Sequence, residues 1–131
     1  MIAYNPQEMQ NIAKSLGKQG HHKFLFFWDL WTGKTEFTKW FAEFLGINQD
    51  IVQSPTYTYM NEYQETLLHI DMYRIEESED IIEKWLIDKI EDYDYICIEW
   101  PKFTNMYQDE EFTRVDITKQ DNYTRDIHID N

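Results

Sequence analysis

Residues Lys23-Phe-Leu-Phe-Phe-Trp-Asp-Leu-Trp-Thr-Gly-Lys-Thr35 join an apolar run to a loop that closes on Gly-Lys-Thr. Phe24 to Phe27 reads as a buried strand. The amphipathic stretch Glu36 to Leu45 repeats Phe37, Phe41, Phe44 and Leu45 at helical spacing. Strand, loop and helix in that order are the setting of a phosphate-binding loop. Such a loop needs backbone N–H groups turned toward an anion, a lysine that reaches the terminal phosphates and an adjacent hydroxyl for Mg2+. Gly33, Lys34 and Thr35 supply the second half of the spacing, while Trp28 stands at the first glycine position. Lys34 and Thr35 then fall in the first turn of the helix, where the positive end of its dipole favours phosphate. A Gly-Lys-Thr tripeptide is common by chance, so its flanks carry the inference.

Upstream, Asn5-Pro-Gln-Glu8 has the order of a helix start, with a capping asparagine, a proline in the first turn and a glutamate at the third position. Met9, Ile12, Ala13 and Leu16 form one apolar face, and Gly17 is placed to end the helix. His21 and His22 read most simply as solvated loop residues. Downstream, Gly46 closes the second helix, and the residues after Pro55 read as strand. Thr66 to Ile70 predicts a strand ending at Asp71. Ser78 is placed to cap a helix whose apolar residues are Ile81, Ile82, Leu86 and Ile90. Tyr93 to Ile98 predicts a buried strand that stops at Glu99-Trp-Pro101, and Phe103 to Glu111 reads as loop. Thr113 to Thr118 and Tyr123 to Asp130 alternate around Lys-Gln-Asp-Asn as a terminal antiparallel hairpin.

This order predicts an α/β, three-layer P-loop NTPase-like sandwich with a central, mostly parallel sheet and a C-terminal antiparallel hairpin. A chain of 131 residues is expected to form one such domain, 1–131. It carries 25 acidic against 12 basic residues, a formal net charge of −13. That field disfavours direct contact with nucleic acid. Apolar runs are short and the N-terminus lacks a signal-peptide pattern, which predicts a cytoplasmic protein without a membrane role. The lone cysteine, Cys97, excludes an internal disulfide and reads as a buried strand thiol rather than a nucleophile.

Asp71 and Glu99 follow separate strands at their C-terminal ends, the edge where open α/β sheets bind ligands. Each alone could be a solvated strand end. Beside Lys34 and Thr35, the pair is placed to hold Mg2+ and to orient or deprotonate a water attacking a γ-phosphate. Thr56 could touch that phosphate as a switch residue, or be an ordinary strand threonine.

Four separated segments resemble, in order and spacing, the bacterial TsaE (YjeE) family. They are Trp28-Asp-Leu-Trp-Thr-Gly-Lys-Thr35, Ser54-Pro-Thr56 with Asn61-Glu-Tyr63, His69-Ile-Asp-Met-Tyr-Arg74 and Ile98-Glu-Trp-Pro101. The likeness spans roughly residues 5 to 101. The family consists of small P-loop ATPases that support formation of N6-threonylcarbamoyladenosine in tRNA by binding a TsaB–TsaD heterodimer, of which TsaD performs the transfer. The resemblance implies an ATP site of Asp29, Leu30, Trp31, Thr32, Gly33, Lys34, Thr35, Glu36 and Thr56. It also implies Mg2+ held by Thr35, Asp71 and Glu99, and catalytic roles for Glu99 and Asp71. An acidic protein in an RNA pathway is then explained, because the partner meets the tRNA.

In the family pattern the loop reads Gly-Asp-Leu-Gly-x-Gly-Lys-Thr, so Trp28 and Trp31 both stand at glycine positions. Trp40 also stands at one, and Trp85 roughly so. The resemblance therefore implies impaired nucleotide binding in the chain as written. A gene whose UGA codons mean glycine, translated with UGA as tryptophan, accounts for four of the five tryptophans; a divergent or engineered loop is the alternative. UGG codons at these four positions would end the first explanation. A second functional class is a non-catalytic interaction module of the same fold. A third, a small-molecule kinase, lacks an arginine-rich lid and an evident acceptor site.

Overall fold

Asn5 takes an extended conformation and its side chain accepts a hydrogen bond from the Glu8 N–H at 2.9 Å. The Glu8 carboxylate reaches back to accept from the Tyr4 N–H at 2.7 Å, which completes the reciprocal cap. The helix it opens, α1, spans Pro6–Lys18 and follows a two-residue strand, β1 (Ile2–Ala3). The computed structural model describes residues 2–28, 34–53, 59–72, 80–101, 112–121 and 124–130; for Trp28, Lys34, Thr35 and residues 80–83 it describes the backbone alone. The expected cap at Ser78 and the loop from Phe103 to Glu111 lie outside the described residues.

After α1 come β2 (Lys23–Trp28), α2 (Lys34–Phe44), a single 3-10 turn (Gln49–Ile51), β3 (Met60–Tyr63) and β4 (Leu67–Asp71). Then follow α3 (Asp80–Glu91), β5 (Tyr95–Glu99), β6 (Thr113–Lys119) and β7 (Arg125–Asp130). Every described strand joins one sheet of order β1-β7-β6-β2-β5-β4-β3. The four central strands, β6, β2, β5 and β4, run parallel. The antiparallel strands β3 on one side and β7 with β1 on the other complete the edges. This is the expected mixed sheet with its terminal hairpin, except that β1 is an addition.

The register sorts side chains into two cores. Phe24 and Phe26 pair with Cys97 and Glu99, and their face packs against Phe37 and Phe41 of α2 and against Met9, Ala13 and Leu16 of α1. The Phe24 and Phe26 rings meet the Phe37 ring edge-on at 5.7 Å and 4.9 Å. On the other face Leu68, Ile70, Ile96 and Ile98 cover Leu86 and Ile90 of α3. Parallel strands covered on both sides need unbroken apolar runs. Leu67 to Asp71, buried throughout, is such a run, with two polar residues in it.

Gly17 does not end α1, which continues to Lys18. A Cβ at Gly17 would lie 2.5 Å from the Phe44 ring, so the missing side chain lets α1 and α2 approach. The reversal falls at Gly20, with φ +93. His21 is also not merely solvated: its Nδ1 lies 2.7 Å from the Thr113 hydroxyl, which joins the starts of β2 and β6.

The β3–β4 turn places Gln64 and Glu65 at φ 51 and 54, with the Thr66 N–H donating to the Tyr63 carbonyl at 2.9 Å. This left-handed pair is a turn that favours Asn-Gly. Glu65→Gly is expected to stabilise the fold by about 1 kcal/mol, since a Cβ in this region costs roughly 1–2 kcal/mol and glycine returns part of that as chain entropy. A urea midpoint that stays or falls would count against strain at this turn.

Candidate functional site

The N-terminal turn of α2 follows β2 at the C-terminal edge of the parallel block, and Lys34 and Thr35 are its first two residues. Beside β2 lies β5, and beside β5 lies β4. Their register makes Asp71 and Glu99 direct Cα partners, with Glu99 also paired to Phe26. Both carboxylates therefore lie at the ends of neighbouring parallel strands, on the sheet face that carries α2. Asp71 is 1 % exposed and Glu99 0 %. The junction is fastened by the Met72 N–H donating to the Glu99 carbonyl at 3.0 Å.

One residue of this cluster was not singled out by sequence reading. His69 is 0 % exposed, and its Nε2 lies 3.3 Å from Glu99 Oε1. That is ion-pair distance without hydrogen-bond geometry: among the described residues neither Glu99 oxygen and neither His69 nitrogen has a hydrogen-bond partner. The Thr38 hydroxyl of α2 is in the same condition. A signal for His69 was present, because it precedes Asp71 by two residues and strand alternation puts the two on one face. Cys97, opposite His69, is inert as expected, since burial drives its thiol far above the usual range.

A buried carboxylate without hydrogen bonds costs several kcal/mol unless a cation or donor meets it. The orphaned oxygens of Glu99, whose strand partner is Asp71, fit a divalent cation. Among the described residues no three His, Cys, Asp or Glu side chains converge on one point. Mg2+ does not require this, because it is bound through one or two carboxylates with waters and substrate phosphates.

The described residues on either side of 54–58 are fixed by hydrogen bonds. The Gln53 N–H donates to Tyr63 Oη at 3.0 Å, Tyr63 Oη donates to the Gln53 carbonyl at 3.1 Å, and Asn61 Nδ2 donates to the same carbonyl at 3.2 Å. At the far flank the Asp71 N–H donates to the Tyr59 carbonyl at 2.8 Å. Thr56 itself, with Asp29, Leu30, Trp31, Thr32 and Gly33, lies outside the described residues. Glu36 is exposed, with its carboxylate 3.4 Å from Lys39 Nζ.

Trp28 closes β2 opposite Ile117, Trp40 packs half-buried on the first core, and Trp85 is 40 % exposed on α3. None of the three has positive φ; Trp100, directly after Glu99, does, at 53.

The family model for threonylcarbamoyl adenosine biosynthesis protein TsaE matches residues 3–127. The chain belongs to the TsaE family. It is 49 % identical over 84 residues to the tRNA threonylcarbamoyladenosine biosynthesis protein TsaE of Bacillus subtilis (strain 168), covering 59 % of this chain and 52 % of that relative. With the protein of the same name from Aquifex aeolicus (strain VF5) it shares 46 % over 50 residues, 35 % of this chain and 38 % of that one. The match thus spans about half, or less, of the length of these curated TsaE relatives. The crystal structure of Bacillus subtilis YdiB superposes with a TM-score of 0.68 at 28 % identity, covering 97 % of this chain and 80 % of that one. This likeness supports the mixed α/β sheet.

Proposed function

We propose that this TsaE-family chain acts as one P-loop ATPase-like domain over residues 1–131. In this reading its role is to bind and hydrolyse MgATP in support of N6-threonylcarbamoyladenosine formation in tRNA, with binding impaired in the chain as written by Trp28 and Trp31 at family glycine positions. It works through a TsaB–TsaD-like heterodimer and meets tRNA only indirectly. The observation that carries the reading is the pairing of buried Asp71 and Glu99 at the strand edge that leads into α2. Lys34 holds the β- and γ-phosphates, and the Asp29 to Glu36 loop wraps them with its amides. Thr35, Asp71 and Glu99 would hold Mg2+, which would supply positive charge beside the phosphates. Glu99, with Asp71, orients the attacking water and accepts its proton, while Thr56 faces the γ-phosphate. The net charge of −13 supports the indirect role toward tRNA. A cytoplasmic setting follows from that role; among the described residues no helix is long and apolar enough to cross a membrane.

A second reading, a non-catalytic module that keeps the partner surface, is favoured by Trp28 and Trp31 in the loop. Assaying phosphate release with the purified partner pair separates the two. The first reading expects the protein with glycine restored at 28 and 31 to hydrolyse MgATP slowly, and the rate to rise at least about tenfold when the pair is added, a change of about 1.4 kcal/mol in barrier. Partner binding that ignores ATP, with no hydrolysis even after glycine is restored at 28 and 31, would establish the second.

A further inference from the structure

We propose that His69 is a positioning residue that fixes the carboxylate of Glu99 and thereby sets the Mg2+ affinity of the site; this rests on the reading that Glu99 serves Mg2+. Glu99 is fully buried, and the imidazole of His69 is the one basic side chain within 4 Å of it among the described residues. The contact follows from register. His69 is opposite Cys97, one step short of Glu99 on the same face, so its ring leans along β4 to reach Oε1 at 3.3 Å. The last torsion of a glutamate is broad, and a modest turn of the carboxylate converts this contact into a hydrogen bond from Nε2–H. One oxygen is then engaged by the imidazole, and the other is left for the cation.

The histidine is itself braced. Its ring lies 6.5 Å from that of Tyr63, whose hydroxyl is bonded to both the N–H and the carbonyl of Gln53. Nothing in the apolar packing of this face calls for an imidazole here, because leucine would fill the space without orphaning two nitrogens. Carboxylates that bind metal are themselves held by hydrogen bonds, and losing such a partner weakens metal binding by roughly 10- to 100-fold.

The test has two arms. In the first, ring 15N spectra of the nucleotide-free chain are expected to show the His69 proton on Nε2 and a displaced Nε2 resonance in Glu99→Gln. A His69 signal indifferent to Glu99→Gln would overturn the proposal. In the second, nucleotide binding is titrated with Mg2+ in the Trp28→Gly/Trp31→Gly protein. His69→Leu is expected to raise the half-saturating Mg2+ concentration about tenfold or more, and His69→Gln, whose amide nitrogen substitutes for Nε2, to return it to within about threefold. Affinity for nucleotide without Mg2+ should not move in either variant. Equal Mg2+ dependence in His69→Leu and its parent would refute the positioning role. If the glycine-restored protein binds no nucleotide at all, the functional reading falls and the spectra alone decide the inference.

Discussion

Restoring glycine at 28 and 31 together should convert a chain that binds MgATP weakly or not at all into one that binds it, with a gain of at least about 100-fold by calorimetry. A loop that wraps phosphate needs close backbone approach and positive φ, and a Cβ costs roughly 1–2 kcal/mol in the left-handed region before any indole bulk is counted. At about 1.4 kcal/mol per tenfold the stated gain needs roughly 2.8 kcal/mol, to which a Cβ penalty at one loop position and the displaced indole bulk at both contribute. The structure divides the effect unequally. Trp28 ends β2 in a strand conformation opposite Ile117, without positive φ, so its contribution is the bulk of an indole at the strand–loop junction. Trp40 and Trp85 lie within helices with ordinary backbones, and glycine there should leave nucleotide affinity unchanged while lowering stability, by about 1 kcal/mol at exposed Trp85 and by more at Trp40, which packs on the first core. Equal nucleotide affinity for the chain as written and the double variant would show that the loop tolerates its tryptophans. UGG codons beneath them would separately remove the recoding explanation.

Glu99→Gln should move activity and stability in opposite directions. Turnover of ATP by the glycine-restored protein is expected to fall about 100- to 1,000-fold, the range of a lost general base. Folding stability should rise by about 1 kcal/mol, because a neutral amide replaces a fully buried carboxyl group while keeping an oxygen able to accept from His69. In a thermal melt without nucleotide or metal that is a rise of roughly 4 °C per kcal/mol. A melting temperature several degrees below the parent, or turnover within about threefold of it, would contradict the role assigned to Glu99.

Much of this was legible in the residues. The reciprocal cap at Asn5 and Glu8, the apolar run into Gly33-Lys-Thr35, the Phe37 and Phe41 face of α2 and the β6–β7 hairpin are local patterns, and local patterns survive in the chain as period and punctuation. Asp29 to Gly33 and Thr56 lie outside the described residues, and the phosphate-binding role proposed for them rests on spacing alone.

What the sequence by itself determined was the kind and order of the elements and the placement of Asp71 and Glu99 at the ends of two strands. Which strands became neighbours was decided only in three dimensions. Register brought Asp71 and Glu99 side by side and laid His69 against the latter, the missing side chain of Gly17 was explained by a ring on another helix, and β6 came to pair with β2 rather than an edge. The physical reason is that alternation along a chain encodes which face a side chain occupies, whereas its neighbour depends on packing between segments far apart in sequence.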